Sequence, residues 1–276
     1  MKTKFAKKHI KLSDVTEVQT TLRQAKLNTV CESAKCPNIG ECFGKKIATF
    51  LIAGDTCTRQ CKFCAINKGN PKPLDPKEPE RIANTIKNFG LKYAVITSVT
   101  RDDLYDGAAG HFFETVKSIR EISPDTKVEI LVPDFNGNQE AAEISFSSNP
   151  DVFSHNLETV AGLYDKARKG ACYKRSLSLL TWAKQKGLRT KSGMMLGLGE
   201  KEREVLKALR DLRKTGCEMV TLGQYLAPSK KHHPVVEYIQ PDVFEYYKKV
   251  ALKMGFRSCL SGPYVRSSYQ ADQMFE

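Results

Sequence analysis

Residues 48–64 read Ala48-Thr49-Phe50-Leu51-Ile52-Ala53-Gly54-Asp55-Thr56-Cys57-Thr58-Arg59-Gln60-Cys61-Lys62-Phe63-Cys64. The stretch from Ala48 to Ala53 is apolar apart from Thr49 and reads as a buried strand. Gly54-Asp55-Thr56 breaks it, and three cysteines follow in a polar loop. A loop after a first strand lies at the carboxyl edge of a sheet, where α/β barrels place their chemistry.

Beyond this stretch, strand, loop and helix repeat. Strands are expected at Thr49 to Ala53, Tyr93 to Val99, Lys127 to Pro133, Val152 to His155, Lys191 to Leu196, Met219 to Gln224 and Arg257 to Leu260. Most are short apolar runs without alternation, as suits strands covered on both faces. Helices are expected at Glu80 to Phe89, His111 to Ile122, Gln139 to Phe146, Thr159 to Ala167, Lys174 to Lys186, Glu200 to Lys214 and Pro241 to Met254. Several are closed by glycine, at Gly90, Gly187, Gly216 and Gly255. The pattern implies one α/β domain of about six βα units. By itself it does not separate a partial barrel from a doubly wound sheet. Residues 1–46 read as an irregular or weakly helical extension, 47–260 as the α/β domain and 261–276 as a short tail. Lys68 to Pro79, rich in proline and lysine, fits a crossover loop as well as a domain boundary.

The composition is globular: 276 residues, 41% hydrophobic and 27% charged. It excludes coiled-coil, collagen-like and mainly disordered chains. Nothing approaches the roughly 18 apolar residues of a membrane helix. Lys2, Lys4, Lys7, Lys8 and Lys11 make a basic start with no apolar segment after it, so no secretory signal is read and a cytoplasmic enzyme is expected. The net charge of +13 favours an acidic partner, whether nucleic acid, protein or anionic membrane.

The nine cysteines are an odd number, and Cys31, Cys36, Cys42, Cys57, Cys61 and Cys64 crowd one segment. A secreted disulfide framework does not fit. The six form two triplets, Cys31-x4-Cys36-x5-Cys42 and Cys57-x3-Cys61-x2-Cys64. Three thiolates are one short of a closed zinc site, and no histidine lies in the segment to complete one. A cubane iron–sulfur cluster on three cysteines keeps one iron free for another ligand or a substrate. Cys217 and Cys259 read as small buried hydrophobes, and Cys172 as partly exposed near a helix start.

Cys57-x3-Cys61-x2-Cys64, with Phe63 before its last cysteine, resembles the signature of radical S-adenosylmethionine (SAM) enzymes. Both triplets together resemble the lipoyl synthase family. The likeness continues through Val30-Cys31-Glu32-Ser33-Ala34-Lys35-Cys36-Pro37-Asn38, Arg101-Asp102-Asp103-Leu104, Leu131-Val132-Pro133-Asp134-Phe135 and His155-Asn156-Leu157-Glu158. It runs on through Thr190-Lys191-Ser192-Gly193, Gly197-Leu198-Gly199-Glu200 and Thr221 to Leu226, and ends at Gly262-Pro263-Tyr264-Val265-Arg266-Ser267-Ser268-Tyr269. The resemblance implies a partial (β/α)6 barrel with a cluster-binding N-terminal extension and a short C-terminal tail. It implies that two sulfurs are inserted at C6 and C8 of a protein-bound N6-octanoyl-lysine, two SAM molecules being consumed. Two [4Fe-4S] clusters are implied, one cleaving SAM and an auxiliary one donating the sulfur. An unactivated C–H bond yields no proton to any side chain. A carbon radical can take its hydrogen atom, and a sulfide held nearby then meets the new radical.

On the same resemblance, Cys57, Cys61 and Cys64 ligate the SAM cluster. Cys31, Cys36 and Cys42 ligate the auxiliary one, with Ser268 as fourth ligand and Ser267 as the alternative. Phe63, Asp134, Asn156, Glu158, Arg175 and Lys191 are expected around SAM. Arg266 is expected to orient the tail or hold substrate, Gly197 and Gly199 to admit adenine or make a tight turn, and Gln224 and Tyr225 to line an octanoyl channel. The implied partners are octanoylated lipoyl carrier domains (a dehydrogenase-complex acyltransferase or the glycine-cleavage H protein), an electron donor such as ferredoxin or flavodoxin, and an iron–sulfur carrier for cluster repair. Lys230-Lys231-His232-His233 reads as a basic edge meeting an acidic carrier. No nucleic acid or membrane partner is implied, and no RNA-binding module is seen. One departure stands out: an Asp-Gly-Gly run is expected where this chain has Asp106-Gly107-Ala108-Ala109. The competing enzyme reading is another sulfur-inserting radical enzyme, biotin-synthase-like or methylthiotransferase-like, which the first triplet and the serine motif oppose.

Overall fold

The structure, a computed structural model, describes residues 12–34, 36–44 and 48–275. The basic start from Lys2 to Lys11 and Lys35 of the first triplet's block lie outside them. The chain divides into two compact units, the first within 7–59 and 65–151, the second holding 60–64 and 152 onward.

The first unit contains β1 (Asn28–Thr29), β2 (Thr49–Ile52), β3 (Thr56–Cys57), β4 (Asn67–Lys68), β5 (Tyr93–Ser98) and β6 (Lys127–Leu131). β1 pairs antiparallel with β2, while β2, β5 and β6 run parallel. All four β2 residues are buried, which explains their unbroken hydrophobicity. The helices are α1 (Leu12–Gln24), α2 (Val30–Ser33), α3 (Ile39–Gly44), α4 (Glu78–Phe89), α5 (Ala109–Ile122) and α6 (Gln139–Ser147). Pro79 stands in the first turn of α4, where its missing N–H costs nothing. Gly90 ends the helix at φ +63, its N–H turning back to Ile86 and Lys87. Ile82, Ala83 and Ile86 bury one face of α4, which packs on α5, and α5 packs on α6.

The second unit contains β7 (Val152–Ser154), β8 (Thr190–Leu196), β9 (Met219–Gln224) and β10 (Ser258–Gly262), all parallel to their neighbours. Its helices are α7 (Tyr164–Ala167), α8 (Tyr173–Gln185), α9 (Glu202–Lys214), α10 (Pro241–Lys253) and α11 (Ala271–Phe275). Val205, Ala208, Leu209 and Leu212 recur at helical spacing on α9 and enter a core with Leu180, Leu196, Leu222 and Phe244. Each such leucine contributes about 1.5–3 kcal/mol by leaving water. Met274 of α11 packs on Val152 and Met219, fastening the tail beneath the strands.

The strands and most helices stand where the sequence predicts them. The helix expected from Thr159 to Ala167 is instead a 3-10 turn at Ala161–Leu163 followed by the single turn α7. Gly162 lies in the middle of the expected helix, and no side chain caps its start at Val160. No described helix is long and apolar enough to cross a membrane.

Candidate active site

The first triplet is built on α2 and α3. Thr29 caps α2, its hydroxyl accepting from the Glu32 N–H at 3.4 Å. The Cys36 N–H donates to Cys31 O, the Ile39 N–H to Cys36 O and the Cys42 N–H to Asn38 O. None of the three is in a disulfide. Burial pushes the Cys31 thiol up to about 12; hydrogen bonding to Thr49 opposes the rise, and the Cys36 and Cys42 thiols add to it.

Cys57 closes β3, whose two residues pair with Asn67 and Lys68 of β4. The following residues are stitched to the end of β5. Thr58 donates its N–H and its hydroxyl to Thr100 O, and its hydroxyl accepts from the Asp102 N–H. Arg59 is buried and holds Asp102 with two bonds of 2.7 and 2.8 Å and Asp134 with one of 2.6 Å. Burial opposes its charge, but hydrogen bonds to Asp102 and Asp134 outweigh that and hold the guanidinium protonated.

Behind the loop, Ala53 takes φ +64, a left-handed conformation that an alanine adopts only under constraint. Its N–H donates to the Glu78 carboxylate at 2.9 Å and its carbonyl accepts from Arg101 at 3.1 Å. Glu78 also meets His111 Nε2 at 2.6 Å, and Arg101 is held by Asp103. A cleft of about 500 Å³ opens between the loops after β5 and β6, lined by Asp102, Asp103, Tyr105, Gly107, Phe135 and Asn138. Beside it Ala108 sits at φ +71, fully buried, at the N-cap of α5. Asp106 supplies the cap that alanine lacks, accepting from the Ala108 and Gly110 N–H groups. The departure from the expected glycine thus falls on a residue in a left-handed conformation.

In the second unit, Cys61 and Cys64 share a turn in which the Cys64 N–H donates to Cys61 O, with Phe63 half-buried between them. The turn is anchored by the Lys62 N–H to Ala167 O and the His233 N–H to Lys62 O. Past β7, Arg168 donates to the Tyr164 hydroxyl and to Ser176, and Tyr164 donates to Leu157 O. This network fixes the segment carrying Asn156 and Glu158. Asn156 donates to Glu158 at 3.0 Å, while its buried Oδ1 has no partner. Gly193 of β8 leaves room beside that oxygen: an added Cβ would lie 2.9 Å from it and 2.6 Å from Thr221 Oγ1. Burial pushes the Glu158 carboxyl up, against the opposing pull of Arg168 and Asn156. Lys191 is wholly buried as the second residue of β8. Arg175, in the first turn of α8, donates to Gly170 O.

The tail crosses β9 closely. A Cβ on Gly223 would collide with the carbonyl of Val265, so glycine is required there. Arg266 donates to that carbonyl at 2.7 Å. Ser267 and Ser268 follow, half-buried in a turn closed by the Tyr269 N–H on Arg266 O.

The radical SAM superfamily model matches residues 51–212. Lipoyl synthase of Caldicellulosiruptor saccharolyticus is 54% identical over 261 residues, 94% of this chain and 92% of that one. Lipoyl synthase of Caldanaerobacter subterraneus subsp. tengcongensis is 49% identical over 273 residues, 98% and 96% of the two chains. The chain belongs to the lipoyl synthase family. Among solved structures, methylornithine synthase aligns with 95% of this chain and 85% of its own at a TM-score of 0.57 and 17% identity. Streptococcus suis SuiB bound to SAM aligns with 81% and 53% at 0.61 and 14%. These likenesses bear on fold alone, and place the chain in the partial (β/α) barrel class of radical SAM proteins.

Family membership implies a [4Fe-4S] cluster and SAM. The donor types fit them: two triplets of cysteines outside any disulfide and, within the second unit, a polar niche at Asn156, Gly193 and Thr221. Among the described residues no group of three or more His, Cys, Asp or Glu side chains is placed to hold a metal ion. Several sequence expectations change. The Gln224 amide is taken by the chain itself: it is wholly buried, donates to Tyr225 O and Glu237 O, and accepts from the Ile239 N–H. The Tyr225 hydroxyl is spent on His233 O. Gly197 takes the tight turn that was one of its two expected roles, at φ +96 and close against Glu237 O and Gln224. Glu200 does not start α9; its carboxylate accepts from the Gly197 and Leu198 N–H groups. His233 faces inward, its Nε2 on Leu198 O, while Lys230 and Lys231 remain exposed. Sequence reasoning assigned no role to Arg59, Glu78, His111 or Arg101. The signal available was an arginine inside the cysteine signature and an Arg-Asp-Asp run at a strand end.

Proposed function

We propose that this chain inserts sulfur at C6 and C8 of an N6-octanoyl-lysine carried on an acyl-carrier domain, forming the lipoyl group. The observation that carries the reading is identity of about half the residues to lipoyl synthases across nearly the whole chain, both cysteine triplets being present and outside any disulfide. When bound, one [4Fe-4S] cluster with SAM supplies hydrogen-atom abstraction, and a second supplies sulfur. Cys57, Cys61 and Cys64 hold the first, and three thiolates leave one iron position for SAM. Cys31, Cys36 and Cys42 hold the second, with Ser268 as its fourth ligand; an alkoxide is a harder, more weakly retained ligand for iron that must be released. The unpaired Asn156 Oδ1 accepts a hydrogen bond from SAM, beside Glu158. Phe63, Arg175 and Lys191 complete the SAM surroundings.

The organisation we infer is an extension over residues 1–46, a barrel over 47–260 and a tail over 261–276. The net charge of +13 and exposed Lys230 and Lys231 suit docking of an acidic carrier domain, the glycine-cleavage H protein or a dehydrogenase acyltransferase. A ferredoxin or flavodoxin supplies electrons, an iron–sulfur carrier renews the spent cluster, and the place of work is the cytoplasm. The test is anaerobic turnover of an octanoyl-lysine peptide with SAM and reductant, followed by mass spectrometry. A dithiolated peptide supports the reading. SAM cleavage with the peptide unmodified would refute it.

A further inference from the structure

We propose that Arg59, gripped by Asp102 and Asp134, sets the conformation of the cysteine loop at Cys57 before SAM binds, and that Asp134 is a positioning residue for the cluster and not a SAM ligand. The inference rests on the reading of Cys57, Cys61 and Cys64 as cluster ligands.

Arg59 is the second residue after Cys57, and its side chain is 6% exposed. A guanidinium taken that far from water requires fixed counter-charges. It has two, from two different strand ends: Asp102 follows β5 and Asp134 follows β6. Asp102 engages the fork side-on with both oxygens, a geometry that fixes the plane of the group as well as its position. Asp134 is itself 2% exposed, and the oxygen that meets Arg59 also accepts from the Asn136 N–H at 3.1 Å. That oxygen is spent on the loop and on its own turn. Thr58 adds three more bonds to Thr100 and Asp102. The Arg59 N–H in turn points at Cys57 Sγ, 3.4 Å away. Fixing the Arg59 side chain therefore fixes a backbone donor on a ligand sulfur, and such donors orient ligands and tune cluster electronics.

The test uses the full chain with Cys31→Ala, Cys36→Ala and Cys42→Ala, so that a single cluster remains, reconstituted anaerobically. Into it go Arg59→Lys, which keeps the charge and loses the fork, and the isosteric Asp134→Asn and Asp102→Asn. Iron retention against a chelator, the electron paramagnetic resonance spectrum of the reduced cluster without SAM, and SAM affinity are measured for each. We expect all three variants to alter the SAM-free spectrum and to weaken cluster retention by about 10- to 100-fold, the range for partners of metal ligands. Unchanged spectra and retention, with Asp134→Asn weakening SAM binding alone, would overturn the proposal and return Asp134 to the SAM pocket. A parent chain that retains no iron would overturn the ligand reading itself.

Discussion

Cys31 and Cys42 sit on two short helices and Cys36 lies between them, the turns tied by backbone hydrogen bonds and the Cys31 thiol pushed by burial up to about 12. Cys57 instead opens a loop braced by charge: Arg59 on Asp102 and Asp134, and Ala53 between Glu78 and Arg101. A buried thiol of that kind stays protonated until a metal displaces the proton, so the first site is completed by what it binds. The surroundings of Cys57 are already fixed by the protein. On the function proposed above, the contrast suits one cluster that is consumed and rebuilt and another that persists.

Alkylation of the metal-free chain sharpens this contrast most. Near neutral pH, Cys31 should carry about a thousandfold less thiolate than an ordinary cysteine and react correspondingly slowly, while exposed Cys172 reacts freely. Equal rates, read by peptide mass mapping, would break it. Next, Glu78→Ala orphans the Ala53 N–H and His111 together, and should cost about 2–5 kcal/mol in denaturant unfolding. A cost near zero would mean that the brace behind the loop is ornamental.

Ala108→Gly should stabilise the chain by about 1 kcal/mol, because Ala108 holds a left-handed conformation that disfavours a Cβ. Destabilisation would show that the buried methyl packs better than it strains. The smallest effect concerns acid. Arg101 lowers the Asp103 carboxyl, against a weaker opposing effect of burial. Its stabilising contribution is therefore full above the unfolded carboxylate pKa and lost as pH falls through the lower folded value. Asp103→Asn should flatten that acid limb slightly in melting experiments from pH 5 down to about 2, and an unchanged limb would remove Arg101–Asp103 from the brace.

The sheet was legible because its strands are short and uniformly apolar, such as Thr49–Ile52, and because Gly90 and Gly216 stop helices where the pattern ends. The two cysteine triplets stood out by spacing, and it was the family resemblance that gave them their expected ligand roles. The two-residue ladder of Thr56–Cys57 on Asn67–Lys68 was not, being too short to carry a periodicity. The left-handed residues Ala53, Ala108, Asn136 and Glu158 were hidden as well, since non-glycine side chains advertise no such conformation. Gln224 looked like a site residue because it ends a strand, but three backbone groups from Tyr225 to Ile239 claim its amide. Which strand-end polar groups serve ligands and which serve the chain depends on neighbours far away in sequence.

The central claim, two clusters with two tasks, is tested most directly by counting iron and products in three full-length proteins: the intact chain, one with Cys57, Cys61 and Cys64 changed to alanine, and one with Cys31, Cys36 and Cys42 so changed. We expect about eight irons per intact chain and about four in each variant, four belonging to each cubane. The first variant should release no 5′-deoxyadenosine from SAM, and the second should cleave SAM yet leave an octanoyl-lysine peptide without sulfur. Dithiolated peptide from the chain lacking Cys31, Cys36 and Cys42, or about four irons in the intact protein, would contradict the account.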